Sequence, residues 1–106
     1  MRKPNWMDYM KTTSEYIALL RKYMTENAHK YGIIRIGIFG SVARGEQTED
    51  SDVDVCVELQ TPSMFDLVHI KDELQLLFDC AVDIVRLRDD MDGLLKQNIV
   101  EEGIYA

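Results

Sequence analysis

Apolar positions recur along this chain in two rhythms, and the points where one gives way to the other divide it into elements. Between about Thr13 and Lys30, the residues Tyr16, Ile17, Leu19, Leu20, Tyr23, Met24 and Ala28 return at spacings of three and four, the repeat of an amphipathic helix. Ser14 with the adjacent Glu15 suits its start and Gly32 its stop. Ile33–Phe39 is dense in β-branched residues and short for a helix, so it predicts a buried strand ending at Gly40-Ser41. A short helix fits Ser41–Glu46, followed by a polar loop. Asp52–Glu58 then alternates with period two, carboxylates on one face and Val53, Val55 and Val57 on the other.

After Pro62, Ser63 can cap a helix to about Phe78, with Met64, Phe65, Leu67, Val68, Leu74, Leu76, Leu77 and Phe78 giving it a buried side. Ala81–Leu87 reads as a third strand. Asp89 or Asp90 can cap a last helix carrying Leu94, Leu95, Ile99 and Val100 and ending at Gly103. No linker or repeat interrupts the order, which predicts one α/β (α+β) domain over residues 1–106, with a helix at about 13–30, a core at about 33–106 and a small sheet.

Composition narrows the functional classes. The chain has 106 residues, enough for one core. With 12 basic against 19 acidic residues and a net charge of -7, it would repel a nucleic-acid backbone, and no basic patch offsets this. The acidity suits cation binding or docking on a basic protein. No apolar run reaches the length of a signal peptide or membrane span, so a cytoplasmic home is expected. Cys56 and Cys80 lie in apolar surroundings without a Cys-x-x-Cys spacing and read as reduced, buried thiols. His29 and His69 stand singly and support no zinc site. Tyr9, Tyr16 and Tyr23 repeat every seven residues, a stripe suited to the core or to a partner-binding face. Trp6 and the terminal Ile104-Tyr105 are candidate docking aromatics.

The chemistry concentrates between Gly40 and Asp54. A strand that ends in Gly40-Ser41 and opens into a helix directs backbone N–H groups and a hydroxyl outward, a device that binds phosphate oxygens. An ordinary serine-capped turn has the same sequence. Asp52 and Asp54, two apart on a strand, point to the same side, where like charges repel and a divalent cation is the usual remedy. Hard oxygen donors suit Mg²⁺ or Mn²⁺; the alternative is a solvated strand face. Asp83 sits inside the apolar strand Ala81–Leu87, where a charge is costly unless paired or metal-bound. It completes a three-carboxylate cluster if its strand lies beside that of Asp52. Arg44, one helical turn after Ser41, can reach a triphosphate or form an ion pair.

Gly40-Ser41, ten intervening residues, Asp52-Val-Asp54 and the later Asp83 resemble the DNA polymerase β-type nucleotidyltransferase superfamily. The fuller string Gly-Ser-Val-Ala-Arg-Gly followed by Ser-Asp-Val-Asp is similar to its minimal nucleotidyltransferase branch, whose members pair with HEPN-domain proteins. The resemblance covers about Ile33 to Tyr105 and implies a small mixed sheet of about three main strands. It implies that Asp52 and Asp54 hold metals bridging nucleotide phosphates, that Asp83 holds the catalytic metal and helps activate the attacking hydroxyl, and that Gly40 and Ser41 hold the terminal phosphates. The activity expected is an ATP-dependent antitoxin that moves AMP to a tyrosine hydroxyl of a HEPN-type ribonuclease toxin and releases pyrophosphate. Two other readings stand beside it: an antitoxin acting by contact alone, and an enzyme that nucleotidylates a small hydroxylated molecule such as an aminoglycoside in a pocket supplied by a homodimer, a homo-oligomer being possible.

Overall fold

The computed structural model describes residues 11–48, 52–88, 93, 97, 99, 101 and 103–106. The first helix, α1, spans Thr13–Tyr31. Its cap is Thr12 rather than Ser14: the Thr12 hydroxyl accepts from the Glu15 N–H and the Glu15 carboxylate accepts from the Thr12 N–H. The reciprocal box needs a Ser or Thr three residues ahead of the Glu, the position of Thr12, whereas Ser14 lies inside the first turn. Gly32 ends the helix in the left-handed conformation, as expected.

Strand β1 (Ile33–Phe39), helix α2 (Gly40–Arg44), strand β2 (Val53–Leu59), helix α3 (Met64–Phe78), strand β3 (Val82–Arg86) and the short strand β4 (Ile104–Tyr105) follow. The sheet is mixed, in the order β3-β2-β1-β4, with β2 and β3 parallel and the other pairs antiparallel. It has the three main strands expected, with the two-residue β4 added at the β1 edge. Ile104 and Tyr105, expected as docking residues, pair with Ile38 and Gly37 at the β1 edge. A two-residue strand is too short to show a period. Gly93, Gln97, Ile99 and Glu101 each have helical backbone, and the Gly103 N–H bonds the Ile99 carbonyl. Trp6, Tyr9, the caps Asp89 and Asp90, and Leu94, Leu95 and Val100 lie outside the described residues.

Alternation sorts β2 onto two faces. Val53, Val55 and Val57 meet Ile36 and Ile38 of β1, Tyr16, Ile17 and Leu20 of α1, and Ile70, Leu74 and Phe78 of α3 in the main core. Tyr16 and Tyr23 are buried there, and Tyr16 meets Phe78 edge to face with ring centroids 5.0 Å apart. On the reverse face Cys56, Leu87 and Ile99 form a smaller cluster against Phe39, Val85 and Tyr105. Both cysteines are free thiols.

The expectation for α3 needs correcting. Ile70, Leu74 and Phe78, four apart, form its buried line, whereas Met64, Phe65, Val68 and Leu76 face outward. The helix is apolar on more than one side, so density of apolar residues alone did not select the inward face. Ser63 caps it as expected, accepting from the Asp66 N–H. Among the described residues, no helix is long and apolar enough to cross a membrane.

Candidate active site

The reverse face of the sheet carries the acidic residues, and strand pairing decides which of them meet. β2 and β3 run parallel with Asp54 directly beside Asp83 and Val53 beside Val82. In that register both aspartates project to the same side, away from the α1 and α3 layer. Asp52 lies one residue before β2 and is exposed. The adjacency on which the three-carboxylate reading depended is thus present. Asp83, however, is exposed in a strand that is only partly covered, so it is solvated rather than entombed.

Asp54 is the half-buried member of the three. Burial raises its pKa above the usual carboxylate value, the charges of Asp83 and Asp52 raise it further, and Arg44 alone opposes them. Like charges on either side penalise ionisation of the Asp54 carboxyl. Among the described residues, no three acidic, imidazole or thiol groups close into a ready-made cation cage. The aspartates form an open, one-sided set of hard oxygen donors whose like charges are largely uncompensated. Such a set fits a divalent cation that keeps coordination positions for phosphate and water.

Opposite these carboxylates, β1 ends and α2 begins. Gly40 has φ of +72°, and a Cβ on it would collide with Asp54 Oδ2 and stand 3.2 Å from Asp54 Cγ. Glycine is required there twice, by the backbone conformation and by the approach of the carboxylate. Ser41 follows in α2, half-buried, and Gly45 ends that helix with its N–H on the Ser41 and Val42 carbonyls. The Gly40-Ser41 turn and the carboxylate set therefore share one locality, although they come from different strands.

Arg44 is exposed and pairs with Glu46 through Nε at 3.0 Å. The ion-pair reading holds geometrically, but an exposed pair of this kind contributes little to stability. Two further residues at this locality carried no local signal in the sequence. The Thr13 hydroxyl donates to the Val42 carbonyl and the Gln47 side-chain amide donates to the Lys11 carbonyl, so the start of α1 brackets α2. These bonds span 29 and 36 residues, a separation that no periodicity reports. His29 and His69 are both exposed, as expected for solvated side chains.

A mixed sheet carrying aspartates on neighbouring strands, faced by a strand–Gly-Ser–helix turn, defines a nucleotidyl-transferring class of protein. The nucleotidyltransferase domain family matches residues 20–106, and the chain belongs to that family as an enzyme. Protein adenylyltransferase MntA of Thermococcus cleftensis is 33% identical over 98 residues, covering 92% of this chain and 98% of that protein. A homologue from Methanocaldococcus jannaschii, to which protein adenylyltransferase activity is ascribed, is 38% identical over 97 residues and covers 91% of this chain and 99% of its own. Among solved structures, one described as a minimal nucleotidyltransferase superposes with a TM-score of 0.72 at 30% identity, covering 89% of this chain and 95% of that one. A toxin-antitoxin complex with AMP-PNP superposes with a TM-score of 0.69 at 27% identity, covering 83% and 69%.

Proposed function

We propose that this protein is an antitoxin that transfers AMP from ATP to a tyrosine hydroxyl of a HEPN-type toxin. The observation that carries the reading is the in-register pairing of Asp54 with Asp83, with the charge of Asp52 acting on the same carboxylate. The adenylyltransferase relatives and the AMP-PNP complex support the nucleotide and the class of partner.

In this mechanism Gly40 and Ser41 hold the terminal phosphates through backbone N–H groups and the serine hydroxyl. Exposed Arg44 offers a guanidinium to the triphosphate. Asp52 and Asp54 are the ligands for Mg²⁺ or Mn²⁺, with Asp83 completing the set. Bound cations supply charge neutralisation at the phosphates and the leaving pyrophosphate. Asp83, the solvent-facing partner of Asp54, is open to an incoming acceptor and takes the hydroxyl proton at a carboxylate oxygen. The acceptor oxygen bonds to the α-phosphorus, the bond from that phosphorus to the bridging oxygen of the β-phosphate breaks, and pyrophosphate departs. The acidic chain docks on a basic protein surface and acts without touching nucleic acid directly.

Incubating the protein with Mg-ATP and the product of the adjacent gene, tested as the candidate HEPN-type toxin, should yield an AMP mass adduct on a tyrosine, lost in the Asp52→Asn, Asp54→Asn double variant. If the two proteins bind without an adduct, or the double variant neutralises the toxin fully, the transfer reading fails and inhibition by contact replaces it.

A further inference from the structure

The outward side of α3 carries a pattern that neither the main core nor the carboxylate face uses. Phe65 is 82% exposed and Leu76 85%, flanked by Met64 at 75% and Val68 at 51%. At 3.6 residues per turn, Phe65, His69, Asp72 and Leu76 fall on one stripe, opposite the buried line of Ile70, Leu74 and Phe78. Their spacing of four, three and four reads the same from either end. Their chemistry is apolar, imidazole, carboxylate, apolar. Among the described residues, His69 and Asp72 have no hydrogen-bond or ion-pair partner, and both are exposed.

We propose that α3 is the interface of a homodimer, in which two copies pair antiparallel about a two-fold axis centred between His69 and Asp72. A two-fold contact places the same patch on both copies, so it must complement itself when reversed. This stripe does: Phe65 of one copy meets Leu76 of the second, and His69 meets Asp72 at both ends of the axis. The charge complementarity singles out a second copy as the occupant, because an unrelated partner has no need of a palindromic surface. α3 packs on the valine face of β2, whereas Asp54 and Asp83 lie on the reverse. Both active sites of the dimer therefore stay open to an acceptor protein.

One helix pair is a small contact beside the roughly 1,200–2,000 Å² of standard interfaces, so association is expected to depend on concentration. Sedimentation velocity of the full chain from about 1 to about 200 μM should show a monomer–dimer equilibrium. Phe65→Glu should raise the dissociation constant about tenfold or more. His69→Asp and Asp72→His should each weaken self-association, and an equimolar mixture of the two should restore it, because each variant's changed residue faces its complement on the other. Circular dichroism of these surface variants should match the parent. A parent that stays monomeric throughout, a dimer indifferent to Phe65→Glu, or a mixture no tighter than its components would each overturn the proposal. So would a monomeric parent whose binding to the toxin is lost on Phe65→Glu, which would make the stripe a site for the other protein.

Discussion

The two faces of β2 are built from alternate residues of one strand, yet they obey opposite rules. Val53, Val55 and Val57 vanish into a core closed by α1 and α3. One residue out of phase, Asp54 is half-buried beside Asp83 and is penalised for its charge by both neighbouring aspartates. The first face is core throughout, whereas the second holds a small apolar cluster around Cys56 and, at its Asp54 end, a charge that opposes the fold. Period-two alternation lets one element serve both ends without compromise.

The contrast breaks most sharply from the core side. Leu74 is fully buried, and Leu74→Ala should cost roughly 2–5 kcal/mol of unfolding free energy, read from urea denaturation, while any protein that remains folded retains its transfer activity per molecule. A loss of specific activity larger than the loss of folded fraction would show that the two faces are coupled.

Asp54→Asn should do the reverse. Removing the central carboxylate should lower the rate of AMP transfer by roughly 10²–10³-fold or more, measured under saturating ATP. In the absence of metal it should also raise Tm at neutral pH. The sign follows from the raised pKa of Asp54: its stability contribution is complete below the ordinary carboxylate value and is lost as pH rises through the raised one. Melts across the acid range should therefore show the parent losing ground to the variant as pH increases, a gap that added Mg²⁺ narrows by stabilising the parent alone. Equal melting curves at every pH would refute the electrostatic account of this face.

Gly40→Ala probes the seam between them and carries the smallest energy. The left-handed backbone costs an alanine about 1–2 kcal/mol, and its methyl group would push the Asp54 carboxylate aside. Stability should fall by that modest amount, while KM for ATP and the rate both deteriorate more than the stability loss explains. Unchanged kinetics would separate the turn from the carboxylates.

Much of this arrangement was legible in the chain. Gly40-Ser41 and Asp52-Val-Asp54 announced themselves because both devices are local, each a matter of spacing within a single strand or turn. The pairing of Asp54 with Asp83 was not readable from periodicity, since 29 residues and the whole of α3 separate them and only the parallel register brings them together. Thr12 is masked in the sequence although Thr-x-x-Glu is a cap signature, because Ser14 lies nearer the first apolar residue. The inward side of α3 is hidden for a physical reason as well: Phe65 and Leu76 are as apolar as Leu74, and what separates them is packing on the valine face of the sheet.

The parallel register of β2 and β3 also works as quality control on the finished molecule. A slip of one residue in β3 would turn Asp83 inward against Phe78 and Leu74 and turn Val82 out to water. Molecules with a misassembled carboxylate face would therefore also lack a sound core and would be left open to proteolysis. A population of this protein that survives in folded form is, by the same token, one whose aspartates are already in place.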